Sequence, residues 1–154
     1  MKPAPAINLA TLYSGQSRHK IDDSHRIMLP SDWRVQGAPD RFFVVLATEA
    51  DHLLVCPPPV WESFLADLQA STADKALIPQ LERELNGRVR QVSLDRFGRL
   101  PLPREFATKL GLLKHGELLG RFSKFEVWPD GGLEQPSALR AAAEALISEK
   151  LKSL

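Results

Sequence analysis

Ile21-Asp22-Asp23-Ser24-His25-Arg26-Ile27-Met28-Leu29-Pro30 and Leu94-Asp95-Arg96-Phe97-Gly98-Arg99-Leu100-Pro101-Leu102-Pro103 carry one pattern, 73 positions apart. In both, an aliphatic residue precedes an aspartate, three variable positions, an arginine and a second aliphatic residue, with Leu-Pro two residues further on. The likeness continues downstream. Trp33 falls over Phe106, and Leu54-Val55-Cys56-Pro57 resembles Glu126-Val127-Trp128-Pro129. Asp-x-x-x-Arg could recur by chance, but the whole ordered series argues for an internal duplication, which a search for repeats must find before any fold is assigned.

Each copy predicts the same sequence of elements. A strand leads into the aspartate (Arg18 to Asp22; Arg90 to Asp95), a tight turn follows, and a second short strand runs to the proline. Gly98 suits a turn position with positive φ because it has no Cβ to clash. A short helix comes next; in the second copy Pro103 starts it and Gly111 closes it. Runs rich in Val, Leu, Phe and Trp then predict hairpins, Arg41 to Ala47 with Leu53 to Cys56, and Glu117 to Phe122 with Phe125 to Trp128. Trp61, Phe64, Leu65 and Leu68 recur at helical spacing, and a second helix runs from Pro79 to Leu85 before Asn86-Gly87. Ser137 to Leu154 reads as an amphipathic helix whose apolar stripe needs a partner, in its own domain or in a neighbouring subunit. The resulting division is 1–11 flexible tail, 12–60 first unit, 61–87 helical linker, 88–130 second unit and 131–154 C-terminal helix. The fold class is α+β: a duplicated β-hairpin–α–β-hairpin with additional helices.

Composition narrows the classes of function. Of the 154 residues, 44% are hydrophobic and 25% charged, a globular balance rather than a disordered one. The lone cysteine, Cys56, allows no internal disulfide framework, as expected of a reducing cytosol. No apolar run at the N-terminus is long enough for a signal peptide, and none elsewhere reaches the ~18 residues of a membrane span. The expectation is a cytoplasmic protein. Residues 1–72 hold 6 Lys/Arg against 8 Asp/Glu, whereas residues 73–154 hold 14 against 11. Five arginines (Arg88, Arg90, Arg96, Arg99 and Arg104) crowd the start of the second copy, and local clustering matters more than net charge for phosphate contacts.

Candidate enzymatic chemistry is sparse. His19, His25, His52 and His115 fit no metal-ligand spacing, so no metal and no cofactor are expected. Cys56 sits in an apolar strand before three prolines with nothing adjacent to lower its pKa, which makes it a core thiol. There is neither a glycine-rich phosphate loop nor a Gly-x-Ser-x-Gly elbow. Asp22 and Asp23 are neighbours and point to opposite faces of a strand, so they cannot share a substrate. The recurring Asp-x-x-x-Arg has two readings. In one, the aspartate closes its turn through backbone N–H groups and fixes the arginine, and both serve only the turn. In the other, the arginine is presented at a loop tip to a phosphate or a guanine edge.

The chain resembles the MraZ family of bacterial regulators. The resemblance rests on Val92 to Pro103 with Leu118 to Trp128, on Tyr13-Ser14-Gly15, and on Asp22 to Pro30 with Leu53 to Pro57 before Trp61. It implies two domains of the AbrB/SpoVT-like double-psi swapped-hairpin type. It also implies sequence-specific DNA binding at repeated boxes near the promoter of the division and cell-wall gene cluster, by rings of subunits in the cytoplasm and nucleoid. The family's DNA-binding arginines correspond to Arg26 and Arg99 and its aspartates to Asp22 and Asp95. Arg96, Lys20, Arg18 and Arg90 would neutralise phosphates, and Asp22, Asp95 and Gly98 would stabilise the turns. Double-stranded DNA and further copies of the chain are the implied partners, with no membrane and no small-molecule substrate. Two departures stand out: His25 where the family has a glycine, and Ser24 where a basic residue is common, with Asp23 adding negative charge. Two rival readings accompany this one, an antitoxin-like swapped-hairpin DNA-binding protein and a protein that keeps the fold without binding DNA.

Overall fold

The computed structural model describes residues 7–47, 49, 51–134 and 137–154. Residues 1–6, most of the segment read as a tail, lie outside the described residues, as do 48, 50, 135 and 136. The elements in order are β1 (Gln16–Lys20), β2 (Arg26–Met28), a 3-10 turn (Ser31–Trp33), β3 (Arg41–Leu46), β4 (Leu53–Cys56) and α1 (Pro58–Ser71). After a second 3-10 turn (Lys75–Leu77) come α2 (Ile78–Asn86), β5 (Val89–Ser93), β6 (Arg99–Pro101), α3 (Arg104–Leu110), β7 (His115–Gly120), β8 (Phe125–Pro129) and, past a third 3-10 turn (Gly132–Glu134), α4 (Ala138–Leu151).

Each repeat contributes four strands, but they do not pair within the repeat alone. Six strands form one antiparallel sheet in the order β1-β7-β8-β4-β3-β5. The leading strand of the first copy, β1, runs along β7 of the second, with Gln16 opposite Leu119 and Lys20 opposite His115. Reciprocally, β5 of the second copy runs along β3 of the first, with Arg41 opposite Ser93 and Val45 opposite Val89. The central pair β4–β8 joins the two hairpins. The remaining strands, β2 and β6, pair with each other as a separate two-stranded ribbon, Ile27 opposite Leu100. This reciprocal exchange about an approximate two-fold is a swapped-hairpin α+β fold.

Burial explains why both copies keep their aliphatic positions. Ile27, Leu29, Leu100 and Leu102 are all buried between ribbon and sheet. Around them pack Tyr13, Trp33, Phe42 and Phe125, with neighbouring ring centroids 4.9 Å (Trp33–Phe125) to 6.3 Å (Tyr13–Phe42) apart. Trp33 also donates from Nε1 to the Ser14 carbonyl at 3.0 Å. A smaller cluster on the other side seats α1 and α2: Trp61 stacks on Phe43 at 5.7 Å, above Val45 and Cys56. Burial raises the Cys56 thiol pKa to about 11, against a lesser pull from Lys124 and Arg121, so it stays a neutral packed thiol.

Three expectations are corrected. The leading strands end before their aspartates, at Lys20 and Ser93, because the turn begins there. The short helix exists only in the second copy, where the chain leaves α3 through Gly111 at φ 74; in the first it is one 3-10 turn, since Gly37 and Pro39 leave no room to propagate it. Helix α1 starts at Pro58, earlier than Trp61, because proline suits the first helical turn. Trp128 is not core. It is half-buried, stacks on His52 at 4.3 Å and donates from Nε1 to Glu126 Oε1 at 2.9 Å.

Candidate nucleic-acid interface

The two Asp-x-x-x-Arg motifs build identical turns. In the first, the Asp22 carbonyl accepts from His25 N at 3.0 Å, while Oδ1 accepts from Ser24 N at 2.9 Å and Arg26 N at 3.0 Å. In the second, the Asp95 carbonyl accepts from Gly98 N at 3.0 Å, and Oδ1 accepts from Phe97 N and Arg99 N, both at 2.9 Å. One carboxylate oxygen thus closes each turn, which is why aspartate opens both. The last turn residue must lie in the left-handed region: Gly98 has φ 86 and His25 has φ 61. Gly98 meets a second constraint, since a Cβ there would stand 2.3 Å from Arg34 Cδ. Arg34 is held over it by donating from Nε to the Leu29 carbonyl at 2.9 Å.

The second carboxylate oxygen takes the arginine. Arg26 Nε donates to Asp22 Oδ2 at 2.9 Å, and Arg99 Nε to Asp95 Oδ2 at 2.6 Å. Because β2 and β6 are neighbours, the two pairs also cross. Arg26 Nη1 lies 3.5 Å from Asp95 Oδ2, and Arg99 Nη1 lies 3.5 Å from Asp22 Oδ2. Two motifs separated by 73 positions therefore meet as one alternating Asp–Arg–Asp–Arg cluster on the local two-fold. Leu29 N donates to the Gly98 carbonyl at 3.2 Å and Leu102 N to the His25 carbonyl at 2.8 Å, lacing each turn to the opposite copy.

The electrostatics follow from this wiring. Burial works against ionisation of Asp22 and Asp95, but the backbone N–H donors and the guanidinium of each motif outweigh it and hold both carboxyls below the ordinary aspartate range. Among the described residues Nη2 of either arginine makes no hydrogen bond, so each guanidinium keeps donors for a further partner. The arginines are not at the tips of the turns. They open β2 and β6, and the tips belong to Asp23-Ser24-His25 and Arg96-Phe97-Gly98.

The other predicted basic residues are spread around this centre. Arg96 is exposed, its guanidinium carbon 4.7 Å from the Phe97 ring centroid. Lys20 is exposed at the end of β1, two residues before Asp22. Arg18 is tied to Asp130 by two hydrogen bonds, Nε at 3.0 Å and Nη2 at 2.9 Å. Arg90 pairs with Glu105 and lies 5.0 Å over the Phe106 ring. Two residues were missed by the sequence reading. Arg34 has no counterpart in the repeat, where Ala107 stands, so nothing in the pattern marked it. Phe97, an aromatic residue in a turn crowded with arginines, was visible as an oddity.

Fold and cluster together define an α+β protein made by duplicating one strand-exchanging hairpin unit, with its two repeat motifs fused into a single charged cluster. Residues 12–79 match the family described as "MraZ protein, putative antitoxin-like". A protein of Chlorobium phaeovibrioides named "Transcriptional regulator MraZ" is 30% identical over 148 residues, covering 86% of this chain and 89% of the relative. Proteins of the same name from Chlorobaculum tepidum (29% over 138 residues, 80% of this chain and 87% of the relative) and Shewanella violacea (26% over 145 residues, 92% and 94%) are also similar. The chain belongs to the MraZ family.

Proposed function

We propose that this chain is a sequence-specific DNA-binding transcriptional regulator whose β2–β6 ribbon meets the DNA. The observation that carries the reading is the convergence of both Asp-x-x-x-Arg motifs on one face. Asp22 and Asp95 each hold one guanidinium by its Nε and stand 3.5 Å from Nη1 of the other, so the arginines lose little rotamer freedom on binding, while the Nη1–Nη2 end keeps donors for a further partner. That edge suits two parallel hydrogen bonds to guanine O6 and N7, or to a phosphate. Arg96 and Lys20 flank the face and would neutralise phosphates; Arg18 and Arg90 would do so only by sharing charge with Asp130 and Glu105. The relatives' name, transcriptional regulator, points the same way.

One ribbon offers few base contacts, and a bidentate Arg–guanine pair discriminates by only about 1–3 kcal/mol. Several ribbons on repeated promoter boxes would multiply that selectivity, and this reading places the chain in a multisubunit ring in the cytoplasm and nucleoid, acting on the division and cell-wall gene cluster. Helix α4 supports assembly: it buries none of its residues, and Leu139, Leu146, Ile147 and Leu151 remain exposed. The division into units 12–60 and 88–130, a linker at 61–87 and a terminal helix belongs to the same proposal. The test is binding to duplex DNA selected from a random library, at fixed salt. Arg99→Ala is expected to weaken specific binding more than tenfold and Arg26→Ala less, because acidic Asp23 stands beside it. Wild-type affinity in Arg99→Ala would overturn the reading.

A further inference from the structure

The two turns share backbone, aspartate and arginine, but their tips differ in kind. Ser24 and Phe97 occupy the same position, and the N–H of each donates to its aspartate Oδ1 at 2.9 Å. Ser24 sits between Asp23 and His25, whereas Phe97 sits between Arg96 and Gly98. The Phe97 side chain belongs to no core cluster and is 53% exposed. Its ring carries two cations, with Arg96 Cζ 4.7 Å and Arg99 Cζ 5.0 Å from the centroid. Arg99 cannot drift from this position freely, since Asp95 holds its Nε at 2.6 Å. Phe97, Arg96 and Arg99 therefore project as one unit, with an apolar ring fixed beside the guanidinium proposed to read a base.

We propose that Phe97 is a specificity-determining residue that reads thymine, its ring edge packing on the C5-methyl group of a base next to the one contacted by Arg99. This rests on the DNA-binding reading above. Apolar contact with the thymine methyl is one of the few ways the major groove separates thymine from cytosine without a hydrogen bond. The guanidinium groups lie over the ring and are attracted to its π-face, which leaves the ring edge free to touch DNA. Insertion of the ring between base pairs would first have to strip these cations away. The first copy, with Ser24 at the tip and Asp23 beside it, has no group for a methyl contact. The ribbon is thus two-fold in its backbone and arginines but one-sided in what it recognises.

The experiment uses the full chain and a duplex selected by it from a random library. Each thymine in that duplex is replaced singly by deoxyuridine, which removes only the methyl group, and affinities of wild type, Phe97→Ser and Phe97→Leu are measured by fluorescence anisotropy. Circular dichroism checks that the variants fold, as the exposure of Phe97 leads us to expect. One uracil replacement is expected to weaken wild type three- to tenfold. Phe97→Ser should lose the same factor on the thymine duplex and nothing further on the uracil duplex, and Phe97→Leu should retain part of the preference. Independent, multiplying losses would overturn the proposal, and so would a Phe97→Ser protein that binds as wild type does. A loss in Phe97→Ser with no uracil effect would overturn it in favour of a wedge. If wild type enriches no sequence at all, the DNA-binding reading falls first, and that result is distinct from each of these.

Discussion

Gly98→Ala tests the architecture of the site at its tightest point. Two terms oppose the added methyl. At φ 86 the residue lies in the left-handed region, where a Cβ costs about 1–2 kcal/mol. The Cβ would also stand 2.3 Å from Arg34 Cδ, so the arginine must move and give up its 2.9 Å hydrogen bond to the Leu29 carbonyl, about 1 kcal/mol net. Alanine restricts the unfolded chain and returns about 0.4–1 kcal/mol. The expected net loss is about 2 kcal/mol, read as a lower midpoint in urea unfolding with an unchanged slope. With Arg34→Ala already in place, the same substitution should cost about 1 kcal/mol less, because only the backbone strain remains. A Gly98→Ala protein within about 0.5 kcal/mol of wild type would refute both the turn geometry and the Arg34 contact.

Three further expectations follow from the packing and charge. Trp33→Ala should cost about 3–5 kcal/mol in chemical denaturation, whereas Trp128→Ala, half-buried on His52, should cost roughly 1–2; the reverse order would mean the core is misplaced. Asp22 and Asp95 have folded pKa values below the unfolded value, so their stabilising contribution is present above about pH 4 and fades as pH falls through the folded values. A pH titration of stability should therefore show an acid loss between pH 4 and the folded pKa values that is smaller in the double variant Asp22→Asn/Asp95→Asn, and an unchanged profile would count against the cluster. Leu146→Glu with Ile147→Glu on α4 should lower the particle mass seen by light scattering, from a multiple of 17.2 kDa above the dimer toward smaller species, while leaving the far-UV spectrum of the folded unit intact. A wild-type mass of 17.2 kDa would end the assembly reading.

Much of the fold was legible because duplication writes its evidence twice. The matched aspartates, arginines and Leu-Pro pairs located both turns, and runs such as Arg41 to Ala47 announced strands by composition. What local patterns could not carry was pairing between strands about a hundred residues apart. Nothing in Gln16–Lys20 names His115–Gly120 as its neighbour, so the union of the two motifs into one cluster was invisible. The same gap put Arg26 and Arg99 at the tips of loops when they open strands of a shared ribbon. The environment of Trp128 was hidden for a related reason: Val127 and Pro129 beside it are apolar, but across the sheet it faces Glu117 on β7 and stacks on His52 before β4.

The exchange of leading strands also sets an order of events during synthesis. When the ribosome has released only the first copy and the linker, β3 lacks β5 on one edge and β1 has no strand to lie beside, because β7 has not yet been made. Until residues 115–129 emerge, Tyr13, Phe42 and Trp33 have no Phe125 to close over them. Unpaired edges and an open aromatic cluster are the features that recruit chaperones or other nascent chains. Long-range pairing of this kind is also slow to form. A chain cut anywhere before β7 would therefore leave β1 and the aromatic cluster without the partners that the second copy supplies.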